Sequence, residues 1–230
     1  MITTLADLLP LLPLLIATAT TIVAMTAIGI RRNYALTAGI TIAGLLIASL
    51  VAASMMSTTD SQVTPLLIVD QYSLFFTVLT CVTAMLIAIF SFPYLANLDD
   101  SKEEYYLLLG IATIGAIVMV SSNHFVSTIL GLETLSMSLY GMVAYPVHSK
   151  LADKFPLEAS VKYLVLSAAA SGILLFGMAL IYAQTGTLEF SSIANVTKET
   201  PGLGTGFSIV ALIMVFIGIA FKLSLAPFHM

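Results

Sequence analysis

The sequence predicts an all-α integral membrane protein of about seven transmembrane helices, the seventh broken near Pro227. Three observations carry that prediction. The 230 residues are 59% hydrophobic and only 9% charged, whereas a soluble domain carries about 25% charged residues. The apolar residues fall into seven runs of membrane-spanning length, at about 20 residues per span. None of the runs alternates apolar and polar positions as a transmembrane barrel strand does.

The runs cover residues 8–30, 35–56, 72–95, 105–122, 125–147, 161–184 and 207–230. The first lacks a basic leader, beginning MITTLADLLP, and exceeds the apolar stretch of about 7–15 residues in a signal peptide, so it reads as a retained span. Segment 57–70 is polar, then briefly apolar around Pro65, and predicts a short hairpin packed on the helix ends. Small residues from Ser167 to Gly172, with Gly177 further along, predict a closely packed sixth helix, because packing drives association in lipid. Residues 185–205 read as a polar loop. Its GLGTG stretch has the wrong spacing for a dinucleotide loop and follows no strand.

Arg31 and Arg32 follow the first run, Lys102 the third, and Lys150 and Lys154 the fifth; Lys198 alone lies in the loops on the other side. This five-to-one bias predicts cytoplasmic exits for the odd-numbered helices and an N-terminus outside. A net charge of −4 gives no argument for nucleic acid as a partner. Cys81 is the single cysteine, which excludes an internal disulfide and thiolate-ligated clusters or zinc by count. It lies within an apolar run and reads as a buried structural thiol.

Two charges interrupt the apolar runs: Glu133 in the fifth and Lys222 in the seventh. A charge near the bilayer centre costs roughly 3 kcal/mol on insertion scales and usually marks an ion path or a buried pair. Pro227 cannot donate to the carbonyl of Leu223, which predicts a break beside Lys222. Freed carbonyls at membrane depth are tolerated only inside protein or next to water, and transporters build ion sites at such breaks. Burial disfavours a charged lysine and a nearby carboxylate favours it, so the protonation of Lys222 would respond to its distance from Glu133. A static structural ion pair is the plainer account. Glu158 and Lys162 share a helix face at the start of the sixth helix and read first as a surface pair. His229 has a side chain suited to proton relay, or to a plain hydrogen bond; His124 and His148 sit at helix ends. The sequence carries no nucleophile–base arrangement, phosphate loop or metal-ligand spacing. It therefore predicts no metal site and no redox or hydrolytic chemistry in this chain.

The stretches LGLETLSMSLYG (130–141), EASVKYLVLSAAAS (158–171), LLFGMALIYAQTG (174–186) and FKLSLAPFH (221–229) together resemble subunit N of bacterial NADH-quinone oxidoreductase. That family is one of three antiporter-like, proton-pumping subunits in the membrane arm of respiratory complex I. The resemblance implies that Glu133 and Lys222 form the key pair of a first proton half-channel, with Lys162, Glu158 and His229 as secondary candidates. It implies no cofactor in this chain, with NADH, FMN, iron-sulfur clusters and quinone bound by other subunits. The implied partners are other membrane-arm subunits, the lipid bilayer and protons, in a bacterial inner membrane. It also implies a single membrane domain over 1–230. Residues 1–96 would supply three N-terminal helices, and 97–230 part of a first antiporter-like helical unit. The family has about fourteen helices, so the chain reads as a fragment ending within the seventh helix. Two other classes compete: a monovalent cation/proton antiporter subunit, which uses similar helices and the same Glu and Lys, and a passive membrane scaffold. The sixth-helix stretch favours subunit N over the antiporter, and the two intramembrane charges weigh against the scaffold.

Overall fold

The computed structural model describes residues 5–57, 61–96, 102–145, 155–199 and 205–225. Its elements in chain order are a 3-10 segment Leu5–Leu11, then α1 (Leu12–Ile30), α2 (Tyr34–Ser54), β1 (Ser61–Gln62), β2 (Ile68–Val69), α3 (Gln71–Ala96), α4 (Glu103–Val120), α5 (Phe125–Ala144), α6 (Phe155–Thr185), α7 (Phe190–Glu199) and α8 (Thr205–Lys222). The six helices α1 to α6 are long and apolar enough to cross a membrane, and α8 is a shorter apolar helix. Outward-facing side chains such as Leu50, Phe90 and Phe216 are large, apolar and exposed, as a lipid-facing surface requires.

Local signals in the sequence set the helix starts. Pro10 and Pro13 lack amide donors, so the chain enters as a 3-10 turn and settles into α1 with a proline in its first turn. Asn33 caps α2 by accepting from the Leu36 amide at 3.2 Å. Asp70 and Ser73 cap α3 reciprocally, at 2.7 and 2.9 Å. The His124 Nδ1 accepts from the Val126 amide at the start of α5.

The expected hairpin forms. Gln62 pairs with Ile68 and Ser61 with Val69, antiparallel. The Ile68 amide donates to the Ser121 carbonyl, and the Asn123 amide donates to Leu66, both at 2.9 Å. The hairpin is thereby stitched to the junction of α4 and α5.

The expected loop at 185–205 is corrected, because it contains α7. Glu189 accepts the first helical bond through its carbonyl, from the Ile193 amide at 2.9 Å. Its side chain takes the Ser191 and Ser192 hydroxyls at 2.8 Å each. Phe190 stacks edge-on to Phe125 with ring centroids 4.8 Å apart. A polar sequence with apolar residues at 190, 193 and 196 was enough to make an amphipathic helix.

Two seams bring backbones close together. A Cβ on Gly115 would lie 2.6 Å from the Leu135 nitrogen, and one on Gly131 2.7 Å from the Gly115 oxygen, which locks α4 to α5. A Cβ on Gly177 would lie 2.8 Å from the Val215 nitrogen, and one on Gly218 2.6 Å from the Leu174 Cβ, which locks α6 to α8. Gly172, in the small-residue stretch, would meet nothing within 4 Å. Gly177 therefore carries the close packing that the stretch predicts.

Candidate functional site

The two interrupting charges meet. Glu133 projects from the middle of α5, and Lys222 is the last residue of α8. Their nearest atoms, Nζ and Oε1, lie 3.3 Å apart. Side-chain exposure is 11% for Lys222 and 27% for Glu133, so the pair is largely withdrawn from the surface.

Three serines complete the site. The Lys222 ammonium donates to the Ser167 hydroxyl at 2.6 Å and to the Ser136 hydroxyl at 2.9 Å. With Glu133, that gives an acceptor to each of its three hydrogens. Ser171 donates to the same Glu133 oxygen at 2.5 Å. Ser136, Ser167 and Ser171 are all buried. The ion pair itself is longer than the 2.7–2.9 Å of a strong charge-assisted bond, and both serine contacts on the lysine are shorter. Hydroxyls share the solvation of the two charges.

Helical spacing explains this convergence. Ser136 stands three residues beyond Glu133 and Ser171 four beyond Ser167, so each pair shares a helix face. The glycine seams press α8 onto α6 and α5 onto α4, leaving these two faces opposed. Ser160 adds a bond across the interface to the Tyr140 carbonyl at 2.9 Å. The Tyr140 and Tyr163 rings meet edge-on, 4.9 Å apart.

Among the described residues, α8 ends beside Lys222 in a turn of its own. Leu225 donates to the Ala220 carbonyl at 2.9 Å and Ser224 to Phe221 at 3.0 Å. Ser224 occupies the left-handed region at φ 51°. This is a Schellman end with serine where glycine is usual. Pro227 and His229 lie outside the described residues, as do His148, Lys150 and Lys154.

Lys162 and Glu158 form a surface ion pair on α6, with side-chain exposures of 69% and 56%. They do not join the buried pair. Lys162 does border a cavity of about 400 Å³, together with Tyr163, Phe221, Lys222 and Ser224. Lys162 and Lys222 therefore line the same cavity. The serines were the functional candidates that sequence reading missed. Ser167 and Ser171 read as packing residues, and only their one-turn spacing opposite Glu133 could have flagged them.

Basic residues separate along the bundle. Arg32 pairs with Glu104 at 2.7 Å at the start of α4, and Lys102 lies beside it. Lys198 sits on α7, which docks at the other end of α4.

Residues 122–230 match the family model Proton_antipo_M, described as NADH:quinone oxidoreductase/Mrp antiporter, TM. Among solved structures, a chain of respiratory complex I from Thermus thermophilus superposes with a TM-score of 0.76 at 26% identity, covering 94% of this chain and 45% of that one. A chain of the archaeal membrane-bound sulfane sulfur reductase gives 0.74 at 23% identity, covering 97% and 45%. A chain of the Mrp complex from Dietzia sp. DQ12-45-1b gives 0.78 at 22%, covering 99% and 42%. The protein thus spans a little under half the length of these relatives, each a chain of a multi-subunit membrane complex. Glu133, Ser136, Ser167, Ser171 and Lys222 all fall within the matched residues. In fold the chain resembles the antiporter-like membrane subunits of these complexes.

Proposed function

We propose that the chain is a proton-translocating membrane-arm subunit of an NADH:quinone oxidoreductase, with Glu133 and Lys222 carrying the proton in a half-channel. The observation that supports this most is the buried pair itself. A buried ion pair contributes little net stability compared with apolar packing, and its cost is higher in lipid, so a reversible charge is the better reason for it. The cavity that Lys222 borders is room for water next to the pair. The 26% identity to a complex I chain and the sixth-helix sequence favour an oxidoreductase complex over a cation/proton antiporter subunit. The family model spans both, and the antiporter is the second reading.

On this reading, electrons pass from NADH to quinone elsewhere in the complex, and this chain binds no cofactor. Residues 1–96 act as three supporting helices, and 97–230 supply part of the pumping unit. The host membrane is the bacterial inner membrane, with the N-terminus outside. The test is NADH-driven proton uptake by inverted membrane vesicles carrying Lys222→Met in the assembled complex. Uptake should fall while flavin and clusters remain. Full uptake at normal assembly would remove the proton-carrier role. Sodium-dependent proton exchange without NADH would point instead to the antiporter.

A further inference from the structure

The partners of Lys222 do not all sit on the same packed unit. Ser136 and Glu133 belong to α5, which is locked to α4 through Gly115 and Gly131. Ser167 belongs to α6, which is locked to the lysine's own helix α8 through Gly177 and Gly218. The 2.6 Å contact between Lys222 and Ser167 is therefore set within one backbone-locked pair. The contacts to Glu133 and Ser136 cross from one pair to the other. Glu133 is held from across the same interface, by Ser171 of α6.

We propose that Ser167 is a positioning residue that holds the Lys222 ammonium independently of Glu133, so that the two charges can part without leaving a bare cation at membrane depth. The proposal builds on the reading of the pair as a proton carrier. A carrier must separate from its counter-ion, and a buried ammonium without an acceptor loses a large part of its stabilisation. Ser167 is fully buried and aimed at Nζ, and it stays with the lysine when α5 and α6 move apart. Ser136 and Ser171 belong to the closed arrangement and lose their charged partners when it opens.

The test reads the neutral amine directly. The full-length subunit in its complex is treated with acetic anhydride at one fixed pH, and acetylation of Lys222 is followed by mass spectrometry. Only the neutral amine reacts, and a cavity of about 400 Å³ borders Lys222. Loss of a hydrogen bond to a charged group should raise the Lys222 rate about tenfold in Ser167→Ala. The rise should recur in Ser167→Cys, which matches the serine in size but is a weak acceptor, and Ser167→Thr should restore the slow rate. Lys162 serves as the control for access and should not change. The rise should be as large in a Glu133→Ala background as in the parent, because the two acceptors act separately. A Ser167 effect that vanishes without Glu133, or an unchanged Lys222 rate in both Ser167→Ala and Ser167→Cys, overturns the proposal. These rates do not depend on transport. Normal pumping in Lys222→Met would instead remove the carrier reading on which the proposal builds.

Discussion

The α4–α5 and α6–α8 seams and the α5–α6 interface solve helix packing in opposite ways. The two seams are closed by glycines, where backbone meets backbone and no side chain has room to adjust. The α5–α6 interface is closed by hydroxyls and a carboxylate, and the ammonium of α8 reaches across it to Glu133 and Ser136, bonds that can be exchanged one at a time. In lipid, close van der Waals packing drives association, so the glycine seams hold their geometry. Polar contacts add less and depend on protonation. The difference teaches where such a bundle can move: between the locked pairs, at the place where the charges are.

The comparison breaks most severely if both kinds of interface serve only stability. The apolar double variant Glu133→Leu with Lys222→Met should abolish proton uptake while keeping thermal stability close to the parent or above it, as for buried ion pairs replaced by apolar residues. A variant that unfolds early would show the polar interface to be structural. Glu133→Ala alone should unfold sooner than the double variant, because it leaves the ammonium without its carboxylate.

Overpacking a glycine seam should do the reverse. Gly115→Val forces atoms into the Leu135 backbone and should cost about 1–3 kcal/mol, read as a lower melting temperature of the assembled complex. The uptake remaining per folded complex should be close to normal. A large loss of uptake at full stability would make the α4–α5 seam part of the pump.

The outer junction sharpens the comparison with a milder effect. Hydrogen bonds from Ser192 and Ser191 hold the Glu189 carboxyl below its usual value near 4.5, with help from Asn123 and Gln62. A group whose pKa is depressed on folding stabilises above its unfolded pKa and loses that contribution as pH falls through the folded one. Hydrogen-exchange protection of α7 should therefore be constant above pH 4.5 and decline below it. In Glu189→Gln that acid-dependent decline should be absent. The smallest effect is expected from Lys162→Ala, whose exposed partner is screened by solvent. Proton uptake should fall less than in Lys222→Met.

Composition and periodicity made the bundle legible, because lipid imposes one apolar pattern on every span. Glu133 and Lys222 were legible as exceptions to that pattern. The 57–70 hairpin was legible from its polarity and its proline. The serines were not, since a serine in an apolar helix has the same appearance whether it bonds its own carbonyl, as Ser138 does to Thr134, or faces a charge. Nor was α7, whose start depends on Glu189 meeting two hydroxyls and a neighbouring Asn123. The helix end at Lys222 was expected from Pro227, yet the termination is written earlier, at Ser224.

That turn at Ser224 ties the direction of the ammonium to helical winding. Each residue added to an α-helix turns the next side chain by about 100°. One residue of over- or under-winding ahead of the turn would therefore swing Lys222 out of the hydroxyl pocket. A non-glycine residue in the left-handed conformation costs about 1–2 kcal/mol, so serine at this position leaves the observed end poised against rewinding. The direction of the lysine is thus fixed by where α8 ends, at one residue in the left-handed conformation.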